Sequence, residues 1–140
     1  MALTLTTPNS RRLRQYLDAI AAMGAFDEVA AFVAPDATFH ELPNRIAPLG
    51  RVRRAADLRD AFAQGRQLLS SQAYEIQRLV EAGDDVAAEV EWTGTLAQPF
   101  ANLPVGHVMK AYVGLFITFR DGRIVSQRNY DCYPPFTAAG

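Results

Sequence analysis

The sequence predicts an α+β domain in which helices from the N-terminal half cover one face of a mainly antiparallel sheet. Up to about residue 69 the apolar residues recur at helical spacing, whereas from Gln72 onward they alternate at every second position. Helices that precede a run of strands favour this class over folds in which the two alternate. The chain of 140 residues has the size of one domain, so we expect a single domain over 1–140.

Three helices are predicted in the first half of the chain. The first begins near Asn9 or Ser10, because their side-chain oxygens can accept hydrogen bonds from early backbone N–H groups. The second spans 26–33 and is stopped by Pro35, since proline disfavours helical geometry at the residue before it. The third spans 54–69 and carries its charged residues away from its apolar side.

The alternating pattern predicts five strands, and turn residues mark the breaks between them. Asp121-Gly122 is a strong two-residue hairpin signal between the last two strands. The segment 44–52 contains Pro48 and Gly50, and we predict a loop there. The predicted strands cover 37–42, 72–81, 86–96, 108–120 and 124–133.

Charge and composition exclude several classes of function. The formal net charge is −1 without a basic stripe, so nucleic acid is not an expected partner. Cys132 is the one cysteine, which excludes an internal disulfide and a thiolate metal cluster, and paired His ligands are missing, so no metal is expected. No phosphate-binding or dinucleotide fingerprint is found, so no cofactor is expected. No apolar run suits a membrane span or a signal peptide, which predicts a cytoplasmic protein without a membrane partner.

Each strand has two alternating rows of side chains, and we call the choice of which row faces the helices its phase. The phase of the strands decides whether the sheet holds a polar cavity. In the longest predicted strand, alternate residues from Met109 to Phe119 form an apolar face that the helices must cover. If acidic and amide side chains of other strands lie on that side, polar groups converge on an apolar hollow, the usual form of a small-molecule site. In the opposite phase Val90, Trp92 and Tyr130 fill the core and the acids face water. The residues alone leave both phases open. The polar side chains concerned are Glu41, Glu89, Glu91, Asn129 and Asp131.

Several segments, in their order and spacing, resemble one known superfamily. Gly24-Ala25-Phe26-Asp27, followed by Ala-Pro-Asp-Ala-Thr-Phe-His at 34–40, resembles the opening of the nuclear transport factor 2-like superfamily. The segments 92–95, 103–106 and 119–125 resemble its SnoaL-like polyketide cyclase branch, which is related to ketosteroid isomerases and limonene-epoxide hydrolases. The resemblance extends over nearly the whole chain.

This resemblance implies a cone-shaped, cystatin-like fold. A strongly bent mixed or antiparallel sheet and three N-terminal-side helices would enclose a central pocket. It also implies a homodimer through the outer sheet face, which offers several apolar residues another place to be buried. The phase that puts the acids in the pocket is then the expected one. The apolar residues concerned are Val90, Trp92, Tyr112 and Phe116.

Functional positions carry over from the superfamily only in part. Glu41 falls where steroid isomerases place a general-base carboxylate, but their oxyanion-hole acid corresponds to Leu115, which cannot donate a hydrogen bond. The Asp-Arg-Asp set of the epoxide hydrolases corresponds to Glu91, Glu89 and Asn129. We expect Glu41, Glu91, Asn129 and Asp131 to be catalytic. We expect Phe39, Glu89, Phe100, Val113 and Leu115 to bind the ligand.

The resemblance and the acids together predict a cofactor-independent acid–base enzyme of isomerase, cyclase or hydrolase type. Its partner would be a small hydrophobic molecule with a carbonyl, enol or epoxide. Glu41 or Glu91 would abstract a proton or activate water, and Asp131 with Asn129 would orient or protonate the substrate. The alternatives are a non-catalytic module that binds a small hydrophobic ligand, and an accessory dimeric domain.

Overall fold

The computed structural model describes Leu5 and residues 7–137, and it has the expected α+β architecture. The ends of the expected domain, 1–4 and 138–140, lie outside the described residues. The helices are α1 (Pro8–Ala22), α2 (Phe26–Ala30) and α3 (Leu58–Leu68), the last after a 3-10 turn over Ala55–Asp57. The strands are β1 (Val33–Glu41), β2 (Arg51–Arg54), β3 (Leu69–Ala82), β4 (Asp85–Leu96), β5 (Val108–Arg120) and β6 (Arg123–Cys132).

The six strands form one mixed sheet in the order β2-β1-β6-β5-β4-β3. Strands β3 to β6 follow one another as antiparallel neighbours, and the predicted hairpin at Asp121-Gly122 is confirmed, with positive φ at both residues. Strand β6 then pairs in parallel with β1, and this pairing places Glu41 opposite Asn129. The first and last strands therefore bring polar residues from the two ends of the chain together.

The starts of several elements differ from the sequence prediction: α3 begins at Leu58 and not at 54, and β3 begins at Leu69 and not at 72. Thr7, not Asn9 or Ser10, caps α1, and the backbone N–H of Ser10 donates to the Thr7 hydroxyl. Pro8 can occupy the first turn because the N–H that it lacks would have no partner there. Helix α2 ends early and the chain is already extended at β1, because the residue before Pro35 favours extended backbone.

Strand β2 lies where we predicted a loop over 44–52, and this prediction is wrong at its C-terminal end. Arg51 pairs with Glu41 and Arg54 with Thr38 in antiparallel register. Three of the four strand residues are arginine, and the strand forms an exposed edge of the sheet. An edge strand buries little, so the sequence carries no apolar alternation that would reveal it.

The main core lies between α1 and the inner sheet face. The predicted apolar row of β5 faces this core, and Phe119 and Leu115 are both buried in it. Leu13 and Leu17 of α1 pack on the same cluster, so α1 covers the middle of the sheet. A second, smaller cluster around Leu103 packs at the other end of β4 and β5. Between these two clusters the packing leaves a cavity.

Candidate functional site

A cavity of about 250 Å³ lies between α1 and the inner faces of β3, β4, β5 and β6. Its apolar lining is formed by Leu17, Ile20, Val90, Ala111, Val113 and Leu115. Its aromatic and polar lining is formed by Tyr16, Gln72, Tyr74, Trp92, Gln127, Asn129, Asp131 and Tyr133. This combination of an apolar wall with a few convergent polar groups is typical of small-molecule sites.

The polar side of the cavity comes from every second residue along β6 and just beyond it. Asn129 Nδ2 donates to both carboxylate oxygens of Asp131, at 3.1 and 3.2 Å. Asn129 Oδ1 accepts a weaker bond from Gln127 Nε2 at 3.4 Å, and Gln127 Oε1 accepts from the Tyr16 hydroxyl at 3.1 Å. The hydrogen bonds fix the Asn129 amide so that its NH₂ group points at Asp131.

The pKa of Asp131 is raised, chiefly because burial disfavours the charged carboxylate. The Asn129 hydrogen bond lowers this pKa, the nearby Glu41 carboxylate raises it, and the Arg51 charge lowers it. The net result is a carboxyl group that takes up a proton at higher pH than an ordinary aspartate. Such a group suits proton transfer, because acid–base catalysis is most efficient when the pKa lies near the working pH.

The raised pKa of Asp131 predicts how Asp131→Asn changes stability with pH. The folded protein keeps the proton that the unfolded chain releases above about pH 3.9, so wild-type stability falls as pH rises from there through the folded pKa. Asp131→Asn has no carboxyl group to titrate at this position. Its free energy of unfolding should therefore rise relative to that of wild type between about pH 3.9 and the folded pKa of Asp131. Urea unfolding of both proteins from pH 3 to 8 measures the difference.

Asp36→Asn is the matched control for this pH dependence. The hydrogen bond and charge of Arg120 lower the pKa of Asp36, so this carboxylate is stabilised in the folded state. Asp36→Asn should therefore lose stability relative to wild type as pH rises, with a small effect because the pair is exposed. If the free energy of unfolding of Asp131→Asn fell relative to that of wild type as the pH was raised, the environment assigned to Asp131 would be contradicted.

Two tyrosine hydroxyls lie close to Asp131 in the cavity wall. The pKa of Tyr74 and that of Tyr133 are both raised, first by burial and then by the charge of Asp131. Both phenols therefore stay protonated at neutral pH and can act as hydrogen-bond donors. Neither hydroxyl has a hydrogen-bond partner in the part of the chain that the structure describes. They are available to a bound molecule.

Trp92 forms another wall of the cavity, and its position depends on Gly94. The indole Nε1 donates to Gln72 Oε1 at 3.0 Å, and the ring lies against Gly94, two residues further along β4. A Cβ at Gly94 would lie 2.7 Å from the indole Cη2 and 3.0 Å from Leu69 Cδ2. Only glycine leaves room for the indole in this position.

Gly94→Ala should therefore displace Trp92 and destabilise the fold. Overpacking of this kind costs about 1–3 kcal/mol, measured as the free energy of unfolding in urea, and the Trp92 emission should shift. Gly65→Ala is the control, because no atom lies within 4 Å of a Cβ at that helical position. The free energy of unfolding of Gly65→Ala should rise by about 0.5–1 kcal/mol, because alanine favours a helix more than glycine does. Equal stability changes in the two variants would contradict the packing of Trp92 on Gly94.

Glu41 lies beside the cavity and outside its lining. Its side chain is 14% exposed, and Oε1 is 3.4 Å from Arg51 Nε and 3.6 Å from Arg53 Nη1. Oε2 accepts from Asn44 Nδ2 at 2.8 Å. Glu41 is close enough to Asp131 to raise its pKa. The structure thus brings the first and last of the expected catalytic residues together, with Glu41 held in an ion-paired cluster.

Glu89 and Glu91 face away from the cavity, so the expected phase is wrong for β4. Glu91 Oε1 is 2.9 Å from Lys110 Nζ on the outer face, and Glu89 is exposed. Val90 and Trp92 take the inward positions. Only one row of a strand can face the helices, and burying two unpaired carboxylates would cost several kcal/mol. In β6 the expected row, with Asn129 and Asp131, does face the cavity.

The expected ligand-binding residues divide into two groups. Val113 and Leu115 line the cavity. Phe39 is buried in the main core instead, and Phe100 packs edge-to-face against Phe136, with 5.9 Å between ring centroids. Both phenylalanines are outside the cavity lining, so neither is placed to touch a ligand there.

Sequence reasoning missed several cavity residues that the pleat could have indicated. Continuing the row of Asn129 and Asp131 in both directions gives Gln127 and Tyr133, which both line the cavity. Tyr74 had no such signal, because the sequence does not show which row of β3 faces the helices. The missed residues of β3 are Gln72 and Tyr74.

The fold and cavity define a member of the SnoaL-like class. The family model for the SnoaL-like domain matches residues 13–127, so the chain belongs to this family. No curated protein matches the chain. No helix among the described residues is long and apolar enough to cross a membrane. Within the same residues, no three His, Cys, Asp or Glu side chains are grouped so that they could hold a metal ion.

Solved structures with the same fold share little sequence with this chain. IdmH of Streptomyces antibioticus, a proposed polyketide cyclase, is 23% identical over 88% of this chain and 91% of its own, with a TM-score of 0.73. A proposed polyketide cyclase of Acidithiobacillus ferrooxidans is 20% identical over 92% and 91%, with a TM-score of 0.75. A LEH-like epoxide hydrolase of M. tuberculosis is 19% identical over 90% and 84%, with a TM-score of 0.71. The expected cone fold is confirmed.

Proposed function

We propose that this protein is a cofactor-independent acid–base enzyme that moves a proton on a small apolar carbonyl compound. Asp131 is the proton-transfer residue. The observation that carries this proposal is a carboxyl group with a raised pKa, held by Asn129 and facing a cavity beside two phenol donors. The membership of the SnoaL-like family supports it, because solved structures with this fold include a LEH-like epoxide hydrolase.

In the proposed reaction, the Asp131 carboxylate removes a proton from the carbon next to the carbonyl group. The electron pair of that C–H bond forms the new C=C bond, and the carbonyl electrons move to oxygen, giving an enolate. Tyr74 and Tyr133 donate hydrogen bonds to this oxygen, which stabilises the charge as it develops. The protonated Asp131 then returns the proton to carbon, so no net proton is consumed. Asn129 keeps the carboxylate oriented throughout.

The cavity volume limits the size of the substrate. An apolar cavity of about 150 Å³ accommodates benzene, so the 250 Å³ observed here suits a compound of about two fused rings. Val90, Ala111 and Leu115 would contact the hydrocarbon part, and the polar row of β6 would meet the carbonyl end.

Proton exchange tests this proposal without knowledge of the natural substrate. The bicyclic ketone α-tetralone is incubated with the protein in deuterium oxide, and proton NMR follows the loss of the signal next to the carbonyl. We expect exchange faster than in protein-free buffer. Exchange at the rate of the buffer, with bound ketone shown by Trp92 fluorescence, would contradict catalysis.

A binding module is the second candidate. It is favoured by polar groups of the cavity that are hydrogen-bonded to each other. Tyr16 is bonded to Gln127, and Trp92 to Gln72, so these groups are already satisfied without a ligand. A module of this kind would bind apolar ketones and alcohols equally well and would exchange no protons. The exchange assay therefore separates the two candidates.

We also propose that two copies of the chain associate through the outer sheet face. Phe116 and Tyr130 are 50% and 43% exposed there and pack edge-to-face, with 5.7 Å between ring centroids. The flanking charges are of both signs, as Glu91 pairs with Lys110, and such a surface can complement itself in a two-fold dimer. Val90 and Trp92, which we expected to contribute to this face, line the cavity instead.

Light scattering after size-exclusion chromatography measures this association. The wild type should have twice the chain mass of 15.4 kDa, whereas Phe116→Asp should give the mass of one chain because the new charge would be buried without a partner. Val105→Asp changes an exposed apolar loop residue outside the sheet and should leave the mass unchanged. A monomeric wild type at micromolar concentration would overturn the dimer.

We propose a cytoplasmic location as well. Cys132 is exposed and unpaired. Exposed thiols persist best in a reducing compartment, which is the support for this proposal.

A further inference from the structure

Three arginines lie beside the polar end of the cavity and outside its lining, and we call them the arginine rim: Arg45, Arg51 and Arg53. Arg45 Nε donates to the backbone carbonyl of Tyr133 at 3.4 Å. The charge of Arg51 is close enough to lower the pKa of both Asp131 and Tyr133. Arg51 therefore acts electrostatically on the group that we propose to transfer the proton.

The positive charge of the arginine rim is not neutralised locally. Glu41 is the carboxylate that contacts it, and both Arg51 and Arg53 lie on the same oxygen of that carboxylate, at 3.4 and 3.6 Å. These distances exceed the 2.7–2.9 Å or so of a strong charge-assisted hydrogen bond. Even with Asp131 ionised, three guanidinium groups face two carboxylates. An excess positive charge remains beside the polar end of the cavity.

Arg51 has N–H donors that are not used in hydrogen bonds to the described residues. It approaches Glu41 through Nε, and it donates no hydrogen bond to any residue within the described range. Its side chain is 41% exposed, so a small anion can approach it. A guanidinium group presents two parallel N–H donors whose spacing matches a carboxylate. Arg51 is therefore able to bind a second carboxylate besides Glu41.

We propose that the substrate is an apolar oxo acid whose carboxylate is bound by Arg51 of the arginine rim. Its hydrocarbon part occupies the cavity, and its carbonyl group lies between the rim and the apolar wall, beside Asp131. This inference rests on the proposed function and names its substrate class. Arg51 is then a specificity-determining residue that distinguishes anionic from neutral compounds of equal size.

Binding of a matched pair of probes tests this proposal. The probes are 3-phenylpropanoate and its neutral amide, 3-phenylpropanamide, and the readout is the fluorescence of Trp92, the one tryptophan of the chain. At low ionic strength we expect wild type to bind the acid about tenfold more tightly than the amide. Arg51→Gln should reduce this ratio to about twofold or less and leave the affinity for the amide unchanged.

Arg54→Gln is the matched control, because Arg54 lies on the same strand but pairs with Thr38, three residues before Glu41. This variant should keep the preference of the wild type. Arg51→Lys keeps the charge without the two parallel donors and should show an intermediate ratio. Circular dichroism of each variant establishes that it is folded before its affinities are compared.

Equal wild-type affinity for acid and amide, or no binding of either, would overturn the inference. So would a preference that survives in Arg51→Gln or is lost equally in Arg54→Gln. The proposed function fails by a different result, the absence of enzyme-dependent exchange in α-tetralone. That ketone is uncharged and does not need the arginine rim, so the two failures are distinguishable.

Discussion

Asp131→Asn should lower the rate of proton exchange in α-tetralone by about 10²–10⁴-fold, which is the usual contribution of a positioned acid–base group. The asparagine side chain keeps the size of aspartate and can still accept from Asn129, but it cannot take a proton from carbon. The cavity keeps its shape, so the dissociation constant of the ketone, measured by Trp92 fluorescence, should change by less than about threefold. The loss should appear in the rate at saturating ketone.

Glu91→Gln is the control for this substitution. It makes the same chemical change in a carboxylate of the sheet, but Glu91 lies on the outer face against Lys110. We expect exchange within about twofold of wild type. An Asp131→Asn protein that exchanged at the wild-type rate, or a Glu91→Gln protein that lost exchange, would show that the proton is moved by another group.

Replacing both cavity tyrosines, Tyr74→Phe with Tyr133→Phe, should lower the exchange rate by about 10²–10³-fold. Phenylalanine retains the ring that packs in the cavity wall and removes only the hydroxyl donor. Because these donors act on the enolate oxygen more strongly than on the neutral ketone, the loss should fall on the rate and leave binding nearly unchanged. Each single variant should lose less than the pair.

Tyr112→Phe controls for the loss of a phenol. Tyr112 is 52% exposed on the outer face of β5, away from the cavity lining. Its removal should leave exchange unchanged. If the double variant weakened ketone binding and exchange in equal proportion, the tyrosines would bind the ground state and would not stabilise the enolate.

The sequence predicted most of the helices and strands because their patterns reflect burial. The row from Met109 to Phe119 is apolar at every inward position, so its side of the sheet could be predicted. Strand β2 could not be predicted, since its arginines carry no burial pattern. Pairing across the sheet creates this strand, and pairing is not encoded in the local sequence.

The site was only partly predictable because a strand's phase is a choice between two rows. In β6 the resemblance favoured the correct row, and Asn129 and Asp131 face the cavity. In β4 the same argument placed Glu91 inward, although the row of Val90 is the better core stripe and is the one observed. Tyr74 becomes a candidate only when the sheet and α1 enclose it next to Asp131. Such tertiary neighbours lie beyond sequence periodicity.

The crystal structure of the protein with α-tetralone bound tests the central claim most directly. We predict that the carbonyl oxygen lies about 2.7–3.1 Å from the hydroxyl of Tyr74 or Tyr133. The carbon next to it should lie about 3–3.5 Å from a carboxylate oxygen of Asp131. A ketone bound on the outer sheet face beside Phe116, or lying in the cavity with its carbonyl turned away from these three side chains, would contradict the account.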